Sequence, residues 1–338
     1  MKRIWYLGFL LILAIGMVVT GCASGEEFMI LTAEDCFDDE TYDEQTQYCY
    51  LTCELDGTCA ENPGLLSWLG SFISEVGNVA LGPPSDASVI ITYDVEGDSI
   101  NNPVEGSSST AQENGILADT AKHQTMWQQF VSLIPIENRG DIIQYGIFTD
   151  GEGQTMAYVE PNSNDPTKWN IVMDAVDAEN KKEQRYTLIH EFGHILTLNN
   201  RQVPYDTNLT EDDEAAYEKA AQSCPRFFTG EGCATTNSYV NAFFQKFWTD
   251  IYSELPTDPE DYEAVGDFYD QYQDRFVTGY AATNPGEDIA ESWAHFVLND
   301  KPSGDSIADQ KVRFFYDYPE LVTLRDQILS RLYSQSRR

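Results

Sequence analysis

Positive charge is what this chain has least of. Its 338 residues carry 20 lysines and arginines against 56 aspartates and glutamates, a formal net charge of −36 with a pI near 4.1. So few bases leave no face with which to meet nucleic-acid phosphate and no polybasic grip on anionic lipid, so nucleic acid is excluded as a partner. Histidine is scarcer still, at four residues. No internal repeat runs through the chain, which leaves repeat architectures out. Apolar material is plentiful by contrast: 42% of residues are hydrophobic and 12% aromatic, too rich for a disordered acidic tail. The length allows one large domain, or a domain with a small attachment, and enough chain to bury a sizeable core.

The seven cysteines form an odd set, and the N-terminus explains the extra one. Lys2 and Arg3 precede an uncharged run from Ile4 to Thr20 that closes on Val19-Thr20-Gly21-Cys22. The run is short for a membrane span and slightly long for a signal-peptide core; an uncleaved N-terminal anchor is the alternative. Its end resembles the bacterial lipobox, in which small residues precede a cysteine that is lipidated and becomes the new N-terminus. The resemblance implies a lipoprotein signal peptide over residues 1–21, a lipid on Cys22, and an extracytoplasmic protein anchored to a bacterial membrane. Six cysteines remain, an even number that reads as disulfides in an oxidising compartment. Cys36, Cys49, Cys53 and Cys59 fall within 24 residues and Cys224 and Cys233 within ten, so two bridges are expected in the N-terminal cluster and one downstream. The N-terminal spacings match no usual zinc pattern. The acids around them, from Asp35 to Glu44, lack the order of a calcium-binding loop and read as a solvated face.

Residues 22–85 read as a tether with a small disulfide-stapled segment. An apolar, glycine-dotted stretch from Leu65 to Leu81 suits a short helix there, and Gly82-Pro83-Pro84-Ser85 ends it. Residues 86–338 read as the main domain, with the sheet and active-site helix over 86–199 and a helical subdomain over 200–338. Strands are expected over Ser88–Val95, Asp141–Thr149, Thr155–Glu160 and Trp169–Val176, with a loop around Asn101-Asn102-Pro103. Helices are expected over Ala121–Leu133 and Lys182–Leu198, and in at least three pieces between Asn200 and Gly279. There Tyr262, Val265, Phe268, Tyr269, Tyr272 and Phe276 recur near the helical period. The fold class is α+β.

Chemistry enters at His190-Glu191-Phe192-Gly193-His194. Residues four apart share a helix face, so both imidazoles can bind one metal ion, with Glu191 placed to take a proton from water. The bland alternative is an ordinary amphipathic helix. Against it, half of the chain's histidines are in this pentapeptide, and Tyr186, Leu188, Ile189, Ile195, Leu196 and Leu198 flank it with apolar surface. Buried ionisable groups need partners, and a zinc ion suits all three. A catalytic zinc takes a third protein ligand. The metzincin continuation is excluded, because Thr197 and Asn200 stand where it requires glycine and histidine. Farther on, Asn284 suits a helix cap and Pro285 the first helical position. Glu287 therefore opens a helix, with Glu291 one turn later on the same face. A capping box of Asn284 and Glu287 is the competing role for that glutamate, and His295 is read as a packing residue.

Together, HEFGH and the run Tyr280 … Glu287 … Glu291 resemble the gluzincin metallopeptidases of the anthrax lethal factor type. That resemblance is confined to these two motifs and the strand–helix order before them. It implies a zincin-like fold, a small twisted mixed sheet with an HExxH helix and a mainly helical C-terminal subdomain. It further implies one catalytic Zn2+ on His190, His194 and Glu287, Glu191 as general base, Tyr280 as oxyanion stabiliser, and Glu291 orienting a ligand histidine. The expected activity is that of a membrane-tethered zinc endopeptidase acting on a peptide or protein, with Thr155–Glu160 as the edge strand on which an extended backbone aligns. A non-catalytic, zinc-containing surface binding or adhesion lipoprotein is the alternative. A zinc hydrolase of a non-peptide amide is a third reading.

Overall fold

The structure, a computed structural model, describes residues 40–43, 48–51, 88–108, 110–151, 155–179, 181–209, 214–256 and 261–335. The expectations for residues 1–21, Cys22, Cys36, Cys53, Cys59 and Leu65–Leu81 lie outside them. Strands β1 (Glu40–Asp43) and β2 (Tyr48–Leu51) pair antiparallel. Cys49 belongs to β2, but its side chain also lies outside the described set. No helix among the described residues is long and apolar enough to cross a membrane.

A mixed five-stranded sheet organises the first half. Its strands are β3 (Ser88–Glu96), β4 (Ser99–Glu105), β5 (Ile142–Thr149), β6 (Ala157–Pro161) and β7 (Trp169–Asp174), in the order β4-β3-β5-β7-β6. Neighbours are antiparallel except β5 and β7. After β5 the chain passes to the far edge, lays down β6, and turns back into the place between. Asn162 makes that return: its side-chain oxygen accepts the N–H groups of Asn164 and Asp165, and its amide donates to Asn170. Every residue of β7 is buried, which is why that strand shows no apolar–polar alternation. The stretch around Asn101-Asn102-Pro103, expected to be a loop, is part of β4 instead. It pairs at the sheet edge with only Ile100 buried, and Asn102 and Pro103 fall at a register shift, where no ladder bond is lost. Its strand character comes from its partner and not from a hydrophobic pattern.

Nine α-helices are described among these residues. They are α1 (Ala111–Ala118), α2 (Thr120–Leu133), α3 (Lys181–Leu198), α4 (Glu214–Ser223), α5 (Tyr239–Phe247), α6 (Tyr262–Gln271), α7 (Pro285–Leu298), α8 (Ile307–Phe314) and α9 (Pro319–Gln335). Helix α1 was not expected: it buries no residue, so no apolar period marks it, and the capping box of Thr110 and Glu113 starts it. Trp127 and Phe130 of α2 and Leu188, Ile189 and Phe192 of α3 pack against Tyr145, Ile147, Ile171 and Met173 of the sheet. This core continues into Trp293 and Phe296 of α7. A smaller cluster of Phe148, Tyr158 and Val172 covers the other sheet face. The architecture is α+β, with the two most deeply buried helices, α3 and α7, crossing beside the sheet edge that ends in β6.

Candidate metal centre

Helix α3 is buried from Leu188 through Ile195, so its polar groups at His190, Glu191 and His194 have left water. Its far end is closed by Thr197, which donates to the Gly193 carbonyl, and by Asn199, whose amide reaches the Ile195 and Leu196 carbonyls. Helix α7 begins as its sequence demands. Asn284 Oδ1 accepts the N–H groups of Gly286 at 2.8 Å and Glu287 at 3.0 Å, and Pro285 opens the first turn. The carboxylate of Glu287 does not return to the cap, as those of Glu113 and Asp309 do in their capping boxes. It points at the two imidazoles. The first turn of α7 is held on its other side by a buried pair, Asp288 Oδ2 to Lys311 Nζ at 2.6 Å, with Trp248 Nε1 donating to the same oxygen at 2.7 Å. Burial raises the Asp288 carboxyl to about 6 against the pull of Lys311.

What lets the helices meet is Gly193. A Cβ there would lie 2.9 Å from Cδ1 of the fully buried Trp293 and 3.2 Å from the Ala290 Cα. Only the absence of a side chain permits this approach. It places Glu287 Oε2 at 3.2 Å from both His190 Nε2 and His194 Nε2, which are themselves 3.0 Å apart. Around a tetrahedral zinc with bonds of ~2.0–2.1 Å, ligand atoms stand roughly 3.3 Å from one another. The donors, two imidazoles and a carboxylate, are those zinc takes. The Glu287 side chain is fully buried, and its carboxylate meets the two imidazoles and the Tyr280 hydroxyl. Two imidazole nitrogens and a carboxylate oxygen converging on one buried point need positive charge among them, which a proton on His190 or a metal ion supplies. These three residues form a group that could hold a metal ion.

Glu291 stands behind the group. Its Oε1 lies 2.7 Å from His190 Nδ1, a close charge contact off the line of a straight hydrogen bond. Its Oε2 accepts from the Tyr186 hydroxyl at 2.9 Å and the Thr278 hydroxyl at 2.6 Å. Burial would raise the Glu291 carboxyl, but His190 and Thr278 override it and bring it below its usual range. Burial likewise opposes ionisation of Glu287, and His194 and His190 pull its carboxyl well below the ordinary value. The reciprocal effect outweighs burial at His190, which Glu287 and Glu291 raise well above a free imidazole.

Glu191 is 5% exposed. Burial raises its carboxyl to about 7, although the two histidines and the Val159 backbone N–H, which donates to it, act in the other direction. Tyr280 lies in a single helical turn, Tyr280–Ala282, with its ring 5.7 Å from that of His190. Burial first, then the adjacent Glu287 carboxylate, pushes its hydroxyl well above the usual range. Thus His190, Glu191, His194, Tyr280, Glu287 and Glu291 come together, although nearly ninety residues separate the two motifs. His295 stays outside the group, buried edge-on against Tyr186. Cys224 and Cys233 form a disulfide with Cα atoms 5.6 Å apart.

Sequence reasoning missed three supports: Tyr186, Thr278 and the Val159 N–H. Tyr186 alone left a signal, standing four residues before His190 on the same helix face. A second group, Asp150, Asp174 and Asp177, gathers where β5 and β7 end. Asp174 there accepts the backbone N–H groups of Asp150, Val176 and Asp177, which accounts for it as a turn-binding residue. No family model, curated protein or solved structure matches the chain.

Proposed function

We propose that this chain is a zinc metallopeptidase of the gluzincin kind, held outside the cytoplasm by a lipid on Cys22. The observation that carries the reading is the triangle of His190 Nε2, His194 Nε2 and Glu287 Oε2, with sides of 3.0 to 3.2 Å. His190, His194 and Glu287 would hold the ion, and when bound it supplies Lewis-acid polarisation of a carbonyl and a water acidified toward neutral pH. Glu191, desolvated and one residue from His190, would be the general base that takes a proton from the nucleophile and returns it to the departing amine. The Tyr280 hydroxyl stays protonated and donates to the oxygen on which negative charge develops. Glu291 holds the His190 ring, the carboxylate–histidine arrangement that metal sites use to set tautomer and orientation.

Strand β6 supports a peptide as the substrate. Met156 and Asn162 bond to the β7 side through Asp174 N–H and Lys168 O, so the alternate residues Ala157, Val159 and Pro161 turn their backbone groups outward. Among the described residues no strand covers this edge; it passes Glu191, which takes the Val159 N–H, and an extended peptide can add to the outward groups that remain.

The test is metal content and turnover together. Purified protein is expected to hold one zinc per chain by elemental mass spectrometry and to cleave members of a mixed peptide library. Chelation should abolish cleavage and zinc restore it. Protein that binds no stoichiometric zinc sinks the metal assignment, and zinc without cleavage favours the binding-protein alternative. Replacing Glu291 by Gln is expected to weaken zinc roughly 10–100-fold, since outer partners of ligand histidines have effects of that size. Competition with a calibrated chelator measures it, and an unchanged affinity would remove Glu291 from the site.

A further inference from the structure

The disulfide loop has no part in holding the metal, yet it is built with care. Phe228 and Cys233 form a bridge, Thr229 N–H bonds to the Gly232 carbonyl, and Gly230 turns the chain at φ +97°. The loop is therefore a small hairpin stapled at its base by Cys224–Cys233. Its tip is pinned against the segment after α3. Asp206 N–H bonds to the Glu231 carbonyl, and a Cβ on Gly232 would lie 2.2 Å from the Pro204 carbonyl oxygen. A pinned tip facing the β6 edge makes a wall.

Between that tip and β6 runs a crevice. Val159 and Pro161 of the edge strand, Trp169 and Leu198 give it apolar sides, while Glu160 and Glu231 contribute its charge and, among the described residues, no base lines it. It adjoins the metal centre through Val159, whose N–H meets Glu191, and through Leu198, one helical turn beyond His194. The two acids differ in freedom. Glu160 is engaged by the Asn170 amide at 3.0 Å, whereas Glu231 stands at the rim, exposed as a residue but with its carboxyl raised above the ordinary value by partial burial. Apolar sides beneath a carboxylate suit a long aliphatic stem with a cationic head, as in lysine or arginine. The chain's net charge of −36 draws such a side chain in and gives an acidic one no counter-charge.

We infer that this crevice is a subsite selecting peptides by one lysine or arginine side chain, with Glu231 on the stapled hairpin as its specificity-determining residue. The inference rests on the peptidase reading for its location beside the reacting centre, but it is testable by binding alone. Full-length Glu191→Gln protein, zinc-loaded and immobilised, is exposed to a degenerate dodecapeptide library, and the retained pool is sequenced. Lysine and arginine are expected to be enriched about fivefold or more at one register over the others. Adding Glu231→Gln should bring that register down to the background of the rest, Glu231→Asp should keep part of the preference, and Glu231→Lys should favour glutamate there. Glu263→Gln, removing an exposed acid on α6, controls for the overall charge and should leave the pattern intact.

Uniform enrichment of bases at all positions, an unchanged register in Glu231→Gln, or no retained peptide would each overturn the inference. The peptidase reading fails separately, if wild-type protein retains the Glu231-dependent register yet cleaves none of the same peptides.

Discussion

Glu191→Gln is expected to cut peptide turnover by about 10²–10⁴-fold, the range by which a positioned acid–base group accelerates proton transfer. Zinc content should remain at the wild-type level. The substitution is close to isosteric, and Glu191 is not one of the three converging ligand groups. Its carboxylate is 5% exposed and receives the Val159 N–H, an acceptor role the glutamine carbonyl oxygen can retain. What glutamine cannot do is take a proton. Loss should therefore appear in kcat with little change in KM, because the peptide still meets the same strand edge and crevice. Initial rates over a substrate range, read beside zinc content, check this. A variant with more than a third of wild-type kcat would remove Glu191 as the general base.

Gly193→Ala tests the crossing of the two helices, and here the sign of the effect decides. In an exposed helix, replacing glycine by alanine stabilises by up to ~1 kcal/mol. Here the new methyl would meet Trp293 Cδ1 at 2.9 Å and the Ala290 backbone at 3.2 Å, and Trp293 is fully buried with no room to rotate. Overpacking of this kind costs about 1–3 kcal/mol, so a net destabilisation is expected. The same displacement moves Glu287 away from His190 and His194, so zinc affinity should fall by tenfold or more. Thermal melts of the zinc-free protein separate the packing cost from the loss of metal stabilisation, and chelator competition measures affinity. A more stable variant with unchanged zinc affinity would show that the helices do not need this approach.

The site was legible wherever its chemistry depends on short spacing. His190 and His194 share a helix face through the 3.6-residue period, and Asn284-Pro285 announces a helix start that puts Glu287 and Glu291 one turn apart. Expectations of this kind concern only neighbours along one helix. The capping box was equally compatible with Asn284 and Glu287. It was set aside only because the carboxylate turns away from the cap and lies 3.2 Å from two imidazoles on another helix. Strand β4 was missed for a related reason: an exposed edge strand buries too little to leave an alternating pattern, and its hydrogen-bond partner β3 makes it a strand.

Sequence by itself therefore determined the α+β class, the residue types that could hold a metal, the turn at which each helix presents them, and the acidity of the chain. Tertiary structure alone decided which atoms converge. It set His190 between Glu287 and Glu291, with Tyr186 and Thr278 behind, and laid β6 at the end of the five-stranded sheet with the stapled hairpin across from it. The physical reason is range. Helical period and capping act over a few residues, whereas the separation of α3 and α7 is fixed by how closely two buried surfaces can pack. At Gly193 that distance depends on a side chain the sequence leaves out.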